Sequence, residues 1–419
     1  MRRDMVKQSL LMSATFSSER FGWPQIFAGI LLLLFVGQCT WLLAREYVTP
    51  GAISEADMLR IQQGVDQWHG RAIAGTQPNH AYFYVPLRGP DVNSDDSHDF
   101  NHSPLWYLIA SAPIVLLRIS PGSWAWISLS RAPYLLFGTL LGASLWYVSR
   151  RLYGNAGGFI ALGLYCFSPA VIRSSVLWMI DPNIGAIWGT FGAVFTAIAV
   201  SHTLYAPREV VLWNWRRIVL LGVALALAIG SQFSLAIILP VLLAFMLYLA
   251  PERKGAAIAI LAAACGVALF LLFAAYFFHP AVFVKGLKHA KFLDVSWRSV
   301  AMAGDYRQLL REIAASGPVL VLLIPVTVVV FIAWRRTRYF GNSAPLIMAG
   351  LFVGLRLLSP HESGSILGFA AVIFLFVFVA GIAADLLETR ARETIAAVLV
   401  GLIAANAVWE LLALAQVGG

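Results

Sequence analysis

Charged residues are scarce in this chain of 419 residues: they make up 12%, against 59% hydrophobic residues and a mean hydropathy of +0.76. A soluble globular protein carries roughly 25% charged residues. Because a hydrated surface needs those charges, the composition excludes a water-soluble fold. Cysteine is also scarce, and Cys39, Cys166 and Cys265 each lie within an apolar run. This placement indicates neither a disulfide framework nor a thiolate metal site.

The charge that is present is mostly positive, with a formal net charge of +9 and a pI near 9.6. Such a balance is compatible with nucleic-acid binding, but the basic clusters lie almost entirely at the ends of apolar runs. That arrangement sets the orientation of membrane spans. We therefore expect membrane lipid as a partner, and no nucleic acid.

Eleven apolar runs are candidate spans. The first, residues 23–44, would be about 33 Å long as a helix, enough to cross a hydrocarbon core of roughly 30 Å. It is too long for a signal peptide and is expected to stay uncleaved, with its N-terminus in the cytoplasm. The other ten runs are residues 124–149, 156–178, 184–205, 218–230, 233–249, 256–278, 319–334, 345–358, 367–387 and 395–414.

Basic residues fall on alternate connections between these runs, as the positive-inside rule requires. The alternation holds only if residues 104–117 do not cross; this stretch is short and contains Pro113, so an interfacial or re-entrant helix is expected. The prediction is an all-α polytopic protein of the cell inner (cytoplasmic) membrane with about 11 spans and an external C-terminus. The basic positions are Arg150, Arg151, Arg208, Arg216, Arg217, Arg253, Lys254, Arg335, Arg336, Arg338, Arg390 and Arg392.

Two external connections are long, residues 45–123 and 279–318, but neither suffices for a separate domain, so residues 1–419 are expected to form one integral membrane domain. The first connection contains a capping serine, Ser54, followed by apolar residues at spacings of three and four. This pattern predicts an amphipathic helix lying on the membrane. Its apolar positions are Met58, Ile61, Val65 and Trp68.

Ionisable residues at the outer ends of spans are costly and are functional by default. Three of the four clusters also have a structural interpretation. Acids in a first helical turn interact favourably with the helix dipole, and the acidic, His-containing run can be a solvated loop. Asp181 before Pro182 can cap the next helix. The clusters are Glu55 with Asp57; Asp95, Asp96, His98, Asp99 and His102; Asp181; and His361 with Glu362.

The second external connection is basic, against the positive-inside trend. Its lysines alternate with apolar residues at helical spacing, which suits an anionic headgroup or a lipid phosphate, or else a solvated face resting on headgroups. The basic residues are Lys285, Lys288, His289 and Lys291. Arg131, Arg173 and Arg356 lie near span ends. They can snorkel to the surface or bind a phosphate.

Several motifs, in order and spacing, resemble the GT-C superfamily of membrane glycosyltransferases that use polyprenyl-phosphate sugars. An acidic pair follows the first span, and a His-Ser-Pro-Leu-Trp-Tyr turn enters a juxtamembrane helix. Further motifs are similar to an arginine opening the second span, an Arg-Arg-Leu-Phe-Gly loop, a Ser-Pro-to-Asp segment and a Gly-rich helix pair. In this chain these are residues 102–107, Arg131, residues 150–154, Ser168-Pro169 before Asp181, and residues 222–240.

This resemblance, to the protein mannosyltransferase or aminoarabinose transferase type, implies an inverting transfer of a sugar to a glycan, lipid or protein acceptor on the exoplasmic (periplasmic) face. It implies Asp57 as the general base, Glu55 as the reserve and Asp181 as a second acid. A divalent cation, Mg or Mn, would be held by Asp57, Asp181 and His102. The donor phosphate would be bound by Arg131, Arg173, Lys285, Lys288, His289, Arg356 and His361.

Two departures from the family pattern are visible. Gln232 stands where the family usually has lysine, and the acidic pair is spaced as Glu55-Ala56-Asp57. They motivate an alternative, a non-catalytic GT-C-like scaffold or lipid-binding subunit of a larger membrane complex. A transporter is disfavoured, since no pair of Gly/Pro-broken spans recurs in the two halves. The larger oligosaccharyltransferase-like members are expected to be poor models, because no soluble C-terminal domain is evident.

Overall fold

A computed structural model describes residues 22–48, 55–69, 101–121, 123–176, 183–204, 215–293, 295–359 and 364–415. Within these residues the protein is all-helical, as predicted. The α-helices of this described part are α1 (Trp23–Val48), α2 (Glu55–Trp68), α3 (Leu105–Leu117), α4 (Trp124–Cys166), α5 (Pro169–Val176), α6 (Asn183–Thr203), α7 (Trp215–Ser231), α8 (Ile238–Leu249), α9 (Lys254–Ala275), α10 (Pro280–His289), α11 (Ala303–Ser316), α12 (Pro318–Ala333), α13 (Phe340–Leu358), α14 (Gly364–Leu387) and α15 (Arg392–Ala415).

The described helices provide six candidate membrane spans, or eight if two bent helix pairs each count as one. A multi-pass membrane protein is therefore confirmed, but the predicted number of about 11 is not. One reason is length: α7 has 17 residues and α8 has 12, below the roughly 20 needed for an untilted span. The other is that the two predicted spans within α4 form one continuous helical segment, which together with α5 makes up a single bent pair among the eight. Helix α3, with 13 residues, is too short to cross, as expected.

Helix α4 reverses direction at Gly154, whose φ of 76° and ψ of −172° interrupt the helix. The Tyr165 hydroxyl donates to the Gly138 carbonyl at 2.5 Å, and Gly158 lies against Trp146. Residues 138 and 165 would be about 40 Å apart in one straight helix. The two limbs of α4 must therefore be antiparallel, and the turn falls within the predicted basic connection.

Gly154 adopts a backbone conformation that is essentially restricted to glycine. We expect Gly154→Ala to destabilise the protein by about 1–3 kcal/mol through backbone strain alone, since a Cβ there would meet no other atom. Thermal unfolding of the purified protein in detergent measures this. Gly350→Ala in α13 is the matched control, because Gly350 also faces open space but has helical geometry. Equal melting temperatures for the two variants would contradict the argument.

The end of the bundle that contains Gly154 gathers the basic connections. The Tyr153 hydroxyl, next to the turn, donates to the Gly341 carbonyl at the start of α13 at 2.6 Å. Arg336, before α13, forms an ion pair with Glu388, after α14. The arginines of three connections thus share one end, as the alternation predicted. Their location in the cytoplasm stays a prediction.

Helix α14 is the centre of the bundle, and nearly all of its span is buried by α4, α6, α12 and α13. Its Phe374 packs against Phe191 and Phe352, and the ring centroids are 5.8 Å apart in each of these two pairs. Helices α1 and α15 lie at the periphery, where most of their surface is open to lipid. The Gln38 amide of α1 donates to the buried Glu410 carboxyl of α15 at 3.4 Å, so these two outer helices are joined inside the apolar region.

Candidate functional site at the end of the bundle opposite Gly154

The site is built around a break in the helical chain after α7. At Gln232 the backbone becomes extended before a short 3-10 turn begins at Phe233. Two backbone hydrogen bonds fill the gap: the Ser103 N–H donates to the Gly230 carbonyl at 2.8 Å, and the Phe233 N–H donates to the Asn101 carbonyl at 2.9 Å. The turn that precedes α3 is therefore fixed to the break, at the end of the bundle opposite Gly154.

Helix α2 packs on α3. Gly64 brings the α2 backbone close to α3, and the indole N–H of Trp68 donates to the Leu108 carbonyl at 2.9 Å. The Trp68 ring also meets Phe277, after α9, edge to face at 5.9 Å. The predicted amphipathic helix is present, but its Ile61 and Gly64 face is buried in the protein. One face of α2 is thus covered by α3, and the location of this helix on the membrane surface stays a prediction.

Gly64 is required for this close approach. A Cβ added to it would lie 2.6 Å from both the Tyr107 carbonyl oxygen and the Ser111 hydroxyl oxygen, and a backbone atom cannot rotate away. We expect Gly64→Ala to loosen α2 from α3 and to speed amide hydrogen exchange over residues 55–69. Gly304→Ala, at an open position in α11, serves as the control and should leave exchange in α2 unchanged. Unaltered exchange in the Gly64 variant would show that the contact does not hold α2.

The predicted acidic residues lie at this end or outside the described residues. Glu55 and Asp57 are in the first turn of α2, as expected, although their side chains are outside the described set. Asp181 lies outside the described residues, between α5 and α6. The start of α6 is nonetheless placed, since Gly185 packs against Trp106 of α3. The remaining predicted residues outside the described set are Asp95, Asp96, His98, Asp99, His361, Glu362 and the side chain of His289.

His102 is half-buried in the turn before α3. Its Nδ1 lies 3.5 Å from the Tyr107 hydroxyl, and the two rings are perpendicular with centroids 6.3 Å apart. Of the three predicted metal ligands, only this one has a described side chain. The described residues contain no group of three or more His, Cys, Asp or Glu side chains suited to a metal ion. A metal at this end of the bundle therefore stays a prediction.

Two of the three predicted arginines are buried within the bundle. Arg131 of α4 is 2% exposed and Arg356 of α13 is 1% exposed, while Arg173 of α5 is half-buried. A snorkelling arginine extends along lipid and keeps an exposed head, so snorkelling is excluded for Arg131 and Arg356. The Arg356 guanidinium instead binds the Glu312 carboxylate through two bonds, Nη2 to Oε1 at 2.7 Å and Nε to Oε2 at 3.2 Å.

The predicted lysines are exposed on α10. The apolar side of α10 packs on the end of α9. The ring centroid of Phe283 lies 5.3 Å from that of Phe273 and 5.3 Å from that of Tyr276. Lys285 and Lys288 face outward. The segment that follows α10 reaches the break after α7, where the ring centroids of Phe292 and Phe233 are 5.9 Å apart. The basic helix thus adjoins the α3–α7 junction.

Sequence reasoning missed Glu312 and helix α11, which carries it. The signal was an acidic residue on an amphipathic helix within a predominantly basic connection, with Leu309 and Ile313 on the same side. Nothing in the local pattern identifies Arg356 as its partner, 44 residues later. The pairing depends on how α11 folds back over the bundle.

Comparison by sequence finds no matching family model and no matching curated protein. Comparison of structures does find similar folds, among them oligosaccharyltransferases from Archaeoglobus fulgidus. The one solved in complex with Zn and sulfate has a TM-score of 0.58 and 12% identity, covering 93% of this chain and 53% of that one. AglB solved with an inhibitory peptide and a dolichol-phosphate has a TM-score of 0.58 and 14% identity, and the match covers 95% of this chain and 56% of AglB.

A third solved structure, tethered to an acceptor peptide containing the NVT sequon, has a TM-score of 0.54 and 12% identity, covering 94% and 55%. The chain therefore has the fold of these oligosaccharyltransferases over more than nine-tenths of its length, and the resemblance predicted from its motifs is confirmed at the level of the fold. It spans about half the length of these oligosaccharyltransferases. The expectation that they are poor models is corrected for the helical bundle, which they match almost throughout.

Proposed function

We propose that this protein is a glycosyltransferase that moves a sugar from a polyprenyl-phosphate donor to an acceptor at the outer end of the bundle. The observation that supports this most is the match of more than nine-tenths of the chain to the fold of oligosaccharyltransferases, of which one was solved with dolichol-phosphate and another with an acceptor peptide. Helix α2, which begins with two acids, is fixed to the same end as the lysines of α10.

The reaction needs a base, since an acceptor hydroxyl or amide is a poor nucleophile until its proton is removed. We assign this role to Asp57, with Glu55 as the reserve, and assign Asp181 to orienting the acceptor or a metal. The acceptor atom bonds to the anomeric carbon as the carbon–oxygen bond to the lipid phosphate breaks, and the proton passes to the carboxylate. A single displacement of this kind inverts the anomeric centre.

The leaving lipid phosphate develops negative charge that cations must stabilise. Exposed Lys285 and Lys288 can meet a headgroup at the lipid surface, and buried Arg131 and Arg356 lie deeper in the bundle. Arg173, His289 and His361 complete the proposed set. Two carboxylates with His102 are a donor set that Mg or Mn accepts, and a bound cation would supply further charge stabilisation.

The protein is proposed to lie in the cell inner membrane, with its N-terminus cytoplasmic, its C-terminus external and its active site facing the periplasm. The basis is the collection of arginines at the opposite end of the bundle. A glycan, lipid or protein can serve as acceptor, and association with other membrane proteins is compatible with the open surfaces of α1 and α15.

Removing either acid should impair transfer strongly. We expect Asp57→Asn to slow transfer at least about 100-fold, since general-base catalysis contributes 10²–10⁴-fold, and Asp181→Asn to slow it because the group that orients the acceptor or a metal is lost. The measurement is sugar transfer from a polyprenyl-phosphate sugar by the purified protein in lipid nanodiscs. Asp66→Asn on the same helix is the control, because Asp66 accepts a hydrogen bond from Gln62 within α2. Full activity in both acid variants would refute the catalytic assignment.

The alternative is a non-catalytic subunit with the same fold. It is favoured by Gln232, a neutral, buried residue at the break in α7 where the resembled family usually has lysine. In that case the wild-type protein would transfer no sugar from any polyprenyl-phosphate donor and would copurify with other membrane proteins. Transfer by the purified chain alone excludes this alternative.

A further inference from the structure

Helix α11 is tied to the bundle by the ion pair between Glu312 and Arg356. Both donors on one side of the guanidinium are taken by the two carboxylate oxygens, at 2.7 and 3.2 Å. This bidentate geometry of the guanidinium fits carboxylate and phosphate groups equally well. The carboxylate of Glu312 therefore occupies a position that a phosphate could take.

The two partners differ in their access to water. The Arg356 side chain is 2% exposed, whereas the Glu312 side chain is 25% exposed. An arginine cannot lose its proton in a protein, and a buried cation without an anion is strongly destabilising. An anion at the position of the Glu312 carboxylate therefore stabilises the Arg356 cation, while Glu312 can be hydrated once it leaves.

The connections of α11 permit such a departure. Its junction with α12 is Gly317, with φ of 156°, and the two helices are bent by 108° at this point. Tyr306 and Leu310 of α11 are exposed rather than packed in the bundle. The Glu312 carboxylate lies directly against Gly368 of α14, in space that only a glycine leaves open, because a Cβ there would lie 2.4 Å from Oε2. Gly317 can thus act as a hinge for α11.

We infer that Glu312 is a latch: its carboxylate holds Arg356 while the site is empty, and the phosphate of the lipid donor displaces it and releases α11. This inference rests on the proposed function, because it takes the donor to be a polyprenyl phosphate. It assigns Glu312 to the control of donor binding, whereas the chemical step belongs to other residues. Binding and release would then be coupled through a single arginine.

The first test measures the affinity of the full chain, in detergent, for farnesyl monophosphate. Glu312→Gln removes the competing charge and should tighten binding about tenfold, in keeping with the difference between charged and neutral hydrogen bonds. Arg356→Gln should abolish binding. Glu388→Gln, which alters an exposed ion pair at the other end of the bundle, is the matched control and should leave the affinity unchanged.

The second test uses the unmodified protein and so does not depend on the stability of any variant. Adding farnesyl monophosphate should speed amide hydrogen exchange over residues 303–316. If the phosphate binds without this change, or binds wild type and Glu312→Gln equally, the latch is wrong while the polyprenyl-phosphate donor stands. If it binds neither wild type nor Glu312→Gln, both the donor assignment and the latch are wrong.

Discussion

The end of the bundle opposite Gly154 depends on two backbone hydrogen bonds between the turn at Asn101–Ser103 and the break at Gly230–Phe233. In an unbroken helix the Gly230 carbonyl and the Phe233 N–H would be satisfied by neighbours within α7. The break leaves both groups without those partners in a region where lipid offers none. The turn supplies them and, in the same step, fixes the start of α3 on α7. Because α2 then packs on α3, the position of the acidic first turn of α2 follows from this one contact.

Charge inside the bundle is the second constraint. Arg131 and Arg356 are buried near the end of the bundle that holds α2 and the lysines of α10, and a buried guanidinium is tolerated only with anions or acceptors close by. The structure meets this need at Arg356 with a carboxylate from an external helix. A protein that only had to be stable could place an apolar residue there at little cost. Retaining the cation is consistent with a site that handles anions.

Much of this arrangement could be predicted from the sequence because it is encoded locally. The apolar runs located the helices, the spacing of Ile61, Val65 and Trp68 located α2, and the short stretch with Pro113 located α3. The reversal at Gly154 fell within the basic connection that the charge pattern marked. These features depend on periodicity, helix length and the placement of glycine and arginine.

The rest could not be predicted, because it depends on contacts between distant residues. The pairing of Glu312 with Arg356, the burial of Arg131 and the packing of α2 on α3 are set by how the helices fold back on one another. The number of about 11 spans stays a prediction for a related reason. Apolar composition does not distinguish a helix long enough to cross the membrane from a shorter one that neighbouring helices cover.

The hydrogen bond between Gln38 and Glu410 has a consequence for biogenesis. These partners are separated by 372 residues, so α1 enters the bilayer long before α15 has been synthesised. During that interval the Gln38 amide lacks this partner, although α1 can already pack on α4, where Phe35 meets Tyr165 with ring centroids 5.4 Å apart. Insertion of α15 late in translation then completes the polar contact of the earliest helix.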